Sequence, residues 1–133
     1  MTLLYNDPCF LAHETGYHPE RTERIRGLEP RPRASGLADR FTRPAWDPVT
    51  RRRLARVHSL GYIDEVRALS KSGGGEIDSE TIVSPATYDV ALLAAGSVCD
   101  AAERLVRGED KYALCLVRPP GHHALVNQGM GFC

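Results

Sequence analysis

The chain has 133 residues, enough for one core and no more than one domain. Its 17 Lys and Arg balance 17 Asp and Glu, and a formal net charge of zero argues against a module that neutralises nucleic-acid phosphates. Cys9, Cys99, Cys115 and Cys133 contain no C-x-x-C pair, so neither a zinc ribbon nor a disulfide framework is expected.

The N-terminus lacks a basic segment followed by a long apolar one, and no run of about 18 apolar residues occurs anywhere. No secretory leader, no membrane span and reduced thiols in the cytoplasm are the expectations.

In chain order, Thr2 to Tyr5 is a short β-prone run punctuated by Asn6-Asp7-Pro8. In "HETGYHPERTERIRGLEP", Pro19 suits a first helical position. Ile25 and Leu28 share one face, and Pro30 and Pro32 are expected to stop the helix. "FTRPAW" is an extended connection. "DPVTRRRLARVHS" reads as a helix capped by Asp47, with Pro48 in its first turn and Arg51-Arg52-Arg53 as a solvated face. "SLGYIDEVRALSKSGGG" reads as a helix started by Ser59 and ended by Gly73-Gly74-Gly75. "EIDSETIVSP" follows as a loop.

The clearest helix is "SPATYDVALLAAGSVCDAAERLVRGED". Tyr88, Ala91, Leu92, Ala95, Val98, Cys99, Ala102, Leu105 and Val106 recur at three and four, and Gly108 is a stop. "KYALCLVR" is a near-continuous apolar run, read as a strand over 112–118 buried on both faces, as in a parallel sheet. The order of elements gives an α/β fold.

His122 and His123 fall just past that strand, where open α/β sheets gather ligands. Pro119 and Pro120 stiffen the turn before them, and Gly121 allows tight geometry. Two readings fit the residues. In one, a histidine caps a turn and the other is solvated. In the other, a loop brings both imidazoles to one reacting centre, where they take, hold and return a proton. Zinc ligation by adjacent residues fits less well, because ligand pairs are usually spaced. His13, His18 and His58 are scattered and read as structural.

"RPPGHHA" followed by "GMGFC" resembles the catalytic segment of the histone deacetylase superfamily, nearest its class II-like and acetylpolyamine amidohydrolase branch. "HPERTERIRGL", "VHSLGYIDEV" and "SPATYDVALLAAGSV" resemble further family segments, in family order, across nearly the whole chain. The resemblance implies an arginase/deacetylase-like α/β fold, with a parallel sheet flanked by helices. It also implies zinc-dependent hydrolysis of an acetylated lysine peptide or a small acylated amine by a metal-activated water. By motif position His123 would be the general base and His122 its electrostatic partner and proton donor to the leaving amine. Gly131 would offer its carbonyl to the substrate amide, Phe132 would press on the methylene stem, and Cys133 would pack beside the acetyl pocket. Arg24 would stand near an internal cavity; apart from the family it reads as a surface ion pair with Glu20 or Glu23. Without the family, Phe132 and Cys133 read as ordinary core. A rim role for Asp78 or Glu80 is not carried over.

The family's metal ligands, an Asp-x-His pair and a later Asp, lie downstream of the Gly-Phe-Cys stretch, as do its oxyanion tyrosine and the carboxylates that orient the histidines. Residues 1–133 are therefore expected to be about the first third of one catalytic domain. No metal ligand is assigned within them, and zinc is expected only in the complete enzyme. The isolated chain is expected to lack deacetylase activity and to expose apolar faces that favour homo-oligomers. Its expected partners are the acylated substrate and the remaining portion of the domain, with no direct nucleic acid and no membrane. The alternative is a non-catalytic interaction module built on the same fold.

Overall fold

The structure, a computed structural model, describes residues 1–28 and 30–133. Its centre is a three-stranded parallel sheet in the order β2-β1-β5, formed by β1 (Thr2–Tyr5), β2 (Phe41–Thr42) and β5 (Tyr112–Cys115). Thr2 pairs with both Phe41 and Tyr112, and Tyr5 pairs with Cys115. Leu3, Leu4 and Tyr5 are buried, as the apolar run requires of a central strand. The parallel sheet with helices packed on it is the expected fold class.

Helix α5 (Thr87–Val106) crosses the sheet. Ala101 and Leu105 pack on Leu3 and Tyr5, while Val90 and Ala94 pack on Phe10. The helix lies where the sequence places it, but its most buried face is different. Val90, Ala94, Ser97 and Ala101 are buried, whereas Val98 and Val106, from the expected stripe, are exposed. The reason is size, since small side chains let the backbones approach. Gly96 is the extreme case: a Cβ there would run into the Asp47 carbonyl and stand 2.9 Å from the Val49 nitrogen. Two neighbouring bonds hold the same crossing. The Val49 N–H donates to the Leu92 carbonyl at 2.9 Å, and Trp46 Nε1–H donates to the Leu93 carbonyl at 3.1 Å.

That crossing explains a second correction. Asp47 and Pro48 lie extended along α5, so they cannot begin a helix. Helix α3 (Arg51–Leu54) starts later, capped by Thr50, whose hydroxyl accepts from the Arg53 N–H. Helix α4 (Leu60–Lys71) begins as expected, with Ser59 Oγ accepting from the Tyr62 N–H. Upstream, α1 is confined to Glu23–Arg26, and Pro30 opens α2 (Pro30–Ala34) instead of ending a helix. A proline costs nothing at a first helical position, where its missing N–H would be unpaired anyway.

The segment read as a loop is a short antiparallel hairpin, β3 (Gly75–Asp78) with β4 (Thr81–Val83). Strand β5 is shorter than expected and sits at the sheet edge among the described residues. Ala113 and Cys115 face the core, while Tyr112 and Leu114 are exposed, so it is not buried on both faces. Among the described residues no helix is long and apolar enough to cross a membrane.

Candidate active site

Pairing with β1 carries past the end of β5, because the Leu116 N–H donates to the Tyr5 carbonyl at 2.9 Å. Val117 then packs against the Phe10 cluster, and Arg118 turns fully inward. The Arg118–Pro119 peptide is cis. After this turn His122 and His123 emerge with exposed side chains, their ring centroids 4.2 Å apart and their planes at 65°. The loop therefore brings both imidazoles to one place.

The chain next returns past the N-terminus of α4. His58 Nδ1 lies 2.9 Å from the Leu125 carbonyl, which can only accept, so Nδ1 carries the proton. The Ser59 N–H donates to the Val126 carbonyl at 3.0 Å. These two bonds hold the return loop.

A tight turn closes the site. The Met130 N–H donates to the Cys133 carbonyl at 3.1 Å, and the Cys133 N–H donates to the Met130 carbonyl at 3.0 Å. Both central residues are left-handed, Gly131 at φ 56° and Phe132 at φ 70°. This is the pattern of a type I′ turn, which needs positive φ at both positions. Glycine adopts it freely; phenylalanine adopts it at a cost of about 1–2 kcal/mol. Strained backbone of this kind collects at functional sites. A Cβ on Gly131 would stand 3.2 Å from Cβ, Cγ and Cδ2 of His123, so the turn lies directly against that imidazole. Cys133 Sγ accepts from the His123 N–H at 3.3 Å. The Phe132 ring meets the His18 imidazole edge-on, with centroids 4.9 Å apart.

His122, His123, Gly131, Phe132 and Cys133 thus come together. Arg24 does not join them. Its guanidinium is half exposed and reaches Glu20 from outside, with Nη1 3.1 Å from Oε1. Its side chain is not among those that line the cavity beside the histidines.

The arginine that is interior is Arg118. Nε and Nη2 donate to the two oxygens of Glu20 at 2.7 and 2.8 Å, and Nη1 donates to the carbonyls of Phe10 and His13 at 3.0 and 2.8 Å. Glu20 is itself buried, with His13 Nε2 3.4 Å from Oε2. On its other side His13 Nδ1 lies 2.8 Å from Thr87 Oγ1, which ties the cluster to the start of α5. Burial would push the Glu20 carboxyl up, but hydrogen bonds from His13 and Arg118 outweigh it and hold it down at about 2. His13 is structural, as the sequence reading has it. Glu20 and Arg118 were not legible as a pair. The one available signal was a charge at the end of an apolar strand, which needs a partner if it is buried.

A cavity of about 590 Å³ opens beside the site, between α4, α5 and the hairpin. His122, Phe132 and Cys133 line one end, and Ile63, Ala91 and Ala95 line the apolar remainder. Burial raises the Cys115 thiol, and burial together with Asp7 pushes the Cys9 thiol up to about 12, so neither is poised as a thiolate nucleophile. Among the described residues no group of three or more His, Cys, Asp or Glu side chains could hold a metal ion. The residues present therefore do not by themselves fit a zinc site.

Comparison with known proteins points the same way as the motifs. The family profile described as the histone deacetylase domain matches residues 18–133. The chain is 38% identical over 116 residues to a histone deacetylase-like amidohydrolase of Pseudomonas aeruginosa, covering 87% of this chain and 30% of that protein. It is 32% identical over 131 residues to a probable deacetylase of Methanothermobacter thermautotrophicus, covering 98% of this chain and 38% of that one. The crystal structure of the HDA15 HD domain superposes with a TM-score of 0.93 at 31% identity, over 99% of this chain and 40% of that chain. The chain thus spans less than half the length of these relatives.

Proposed function

The chain belongs to the histone deacetylase family, and from that membership we propose that residues 1–133 supply the histidine pair and one substrate wall of a zinc-dependent amidohydrolase acting on acylated amines. An acetylated lysine peptide and a small acylated amine are both substrates of this class. The observation that supports the reading is the turn at Met130–Cys133 folded against His123. It places a carbonyl, an aromatic ring and a thiol beside two imidazoles.

In this proposal His123 takes a proton from the attacking water at a ring nitrogen. As the water oxygen bonds to the acyl carbon and the C–N bond breaks, His122, 4.2 Å away between ring centroids, gives its own proton to the departing amine, and the proton held by His123 then restores the pair. The Gly131 carbonyl accepts from the substrate amide N–H, and the Phe132 ring excludes water from the methylene stem. The zinc of this reading is held by residues outside this chain, and the chain alone is inactive.

Zinc content and turnover of an acetyl-lysine peptide and an N-acetylated diamine test the proposal. They are measured on residues 1–133 alone, and again with the portion of the P. aeruginosa amidohydrolase that follows its matched segment fused after Cys133. The expected result is turnover only from the fusion, lowered by about 10²–10⁴ in His123→Ala with zinc content unchanged. Full turnover in the His123→Ala fusion would sink the assignment of the base. Stoichiometric zinc with His123-dependent turnover from residues 1–133 alone would sink the claim that the ligands lie elsewhere.

A further inference from the structure

We propose that Glu20 and Arg118 are positioning residues for the His122–His123 pair, a role that rests on the functional reading above. Among the described residues no ring nitrogen of His122 or His123 has a hydrogen-bond partner, so what these residues contribute to ring placement is the backbone that carries the pair. Four residues upstream, that backbone is anchored by a guanidinium with no exposure to solvent. Its four bonds reach both oxygens of Glu20 and two carbonyls in the segment after β1. Pro119 and Pro120, each with φ fixed by its ring, and Gly121 are the three residues between anchor and pair.

The same clasp reaches the opposite wall. The Glu20 N–H donates to His18 Nδ1 at 3.1 Å, and the His18 ring stands edge-on to Phe132. Glu20 therefore connects the loop that carries the imidazoles with the turn that holds Phe132. Stability alone does not account for such a pair. A buried ion pair can often be exchanged for apolar residues of similar volume with no loss of stability, whereas the fork geometry of arginine on a carboxylate fixes direction as well as distance. A lysine at 118 would keep the charge and lose the fork.

The test reads ring placement and not turnover, so it can fail while the deacetylase reading stands, and the reverse. Histidine-labelled chain is compared by NMR with the double variant Glu20→Leu/Arg118→Met and with Arg118→Lys, and far-UV circular dichroism checks that each is folded. The expected result is a folded protein whose His122–His123 inter-ring cross-peak falls at least twofold, while the His58 signals stay in place. Unchanged cross-peaks and imidazole shifts in either folded variant overturn the inference. Should neither variant fold, backbone relaxation of the unaltered chain decides. The clasp requires order parameters of about 0.85 over residues 119–123, and values below about 0.6 overturn it.

Discussion

Replacing Glu20 by glutamine should remove one specific component of the protein's acid sensitivity. The carboxyl falls from its ordinary 4.5 to about 2 in the folded state, because His13 and Arg118 hold the anion against the cost of burial. A carboxyl whose folded value lies below its unfolded value stabilises the protein above the unfolded value. That contribution is lost as pH falls through the folded value. Each pH unit of that difference is worth about 1.4 kcal/mol, so about 3 kcal/mol should disappear between about pH 5 and pH 2. Glu20→Gln keeps the shape and one acceptor but cannot titrate. Near neutral pH it should cost about 3–5 kcal/mol, since it leaves the Arg118 guanidinium buried without its counter-charge. Urea unfolding at half-unit steps from pH 6 to pH 2 measures both chains. The difference between them should shrink by about 3 kcal/mol toward pH 2, or about 1–3 M in urea midpoint. Asp78, Asp100 and Glu109 are also held low and steepen both curves, but they cancel in the difference. Parallel curves for the two proteins would show that Glu20 is not held as an anion by this cluster, and the clasp would lose its electrostatic basis.

Two glycines give further checks. Gly96→Ala should destabilise by about 1–3 kcal/mol in urea unfolding, although alanine gains about 1 kcal/mol over glycine in a free helix, because the new methyl forces Asp47 and Val49 away from α5. A neutral or stabilising result would mean the two segments do not cross there. Gly131→Ala should cost about 1–2 kcal/mol for the left-handed backbone and displace the His123 ring, seen as a shift of its imidazole resonances. Unmoved His123 resonances would separate the turn from the imidazole.

What the sequence made legible is what lies close together in the chain. Ser59 as a cap, the glycine stop after Lys71 and the long helix after Pro85 each depend on a few neighbouring residues and are found where expected, while the strand before the histidines begins where expected and ends early. His122 and Phe132 lie on one short excursion of the chain, and the family resemblance, not the local pattern, is what drew them together as a candidate site. The errors occur where a distant segment decides. Asp47 is a good cap by local rules, but Gly96, far along the chain, draws its backbone against α5. The apolar stripe of α5 follows from spacing, whereas the most buried face is the one with Ala94, Ser97 and Ala101.

The clasp shows the same limit at the site itself. Arg118 and Glu20 are 98 residues apart, and nothing near either one in the sequence indicates the other. Local pattern can therefore identify two adjacent imidazoles, but not the distant carboxylate that holds the backbone before them. A chain that kept "RPPGHHA" and "GMGFC" intact while losing Glu20 would read the same at the motif. It would still carry an uncompensated guanidinium under the loop, and two histidines whose separation is no longer fixed. The motif supplies two adjacent imidazoles, while the backbone before them is held by a residue that the motif does not contain.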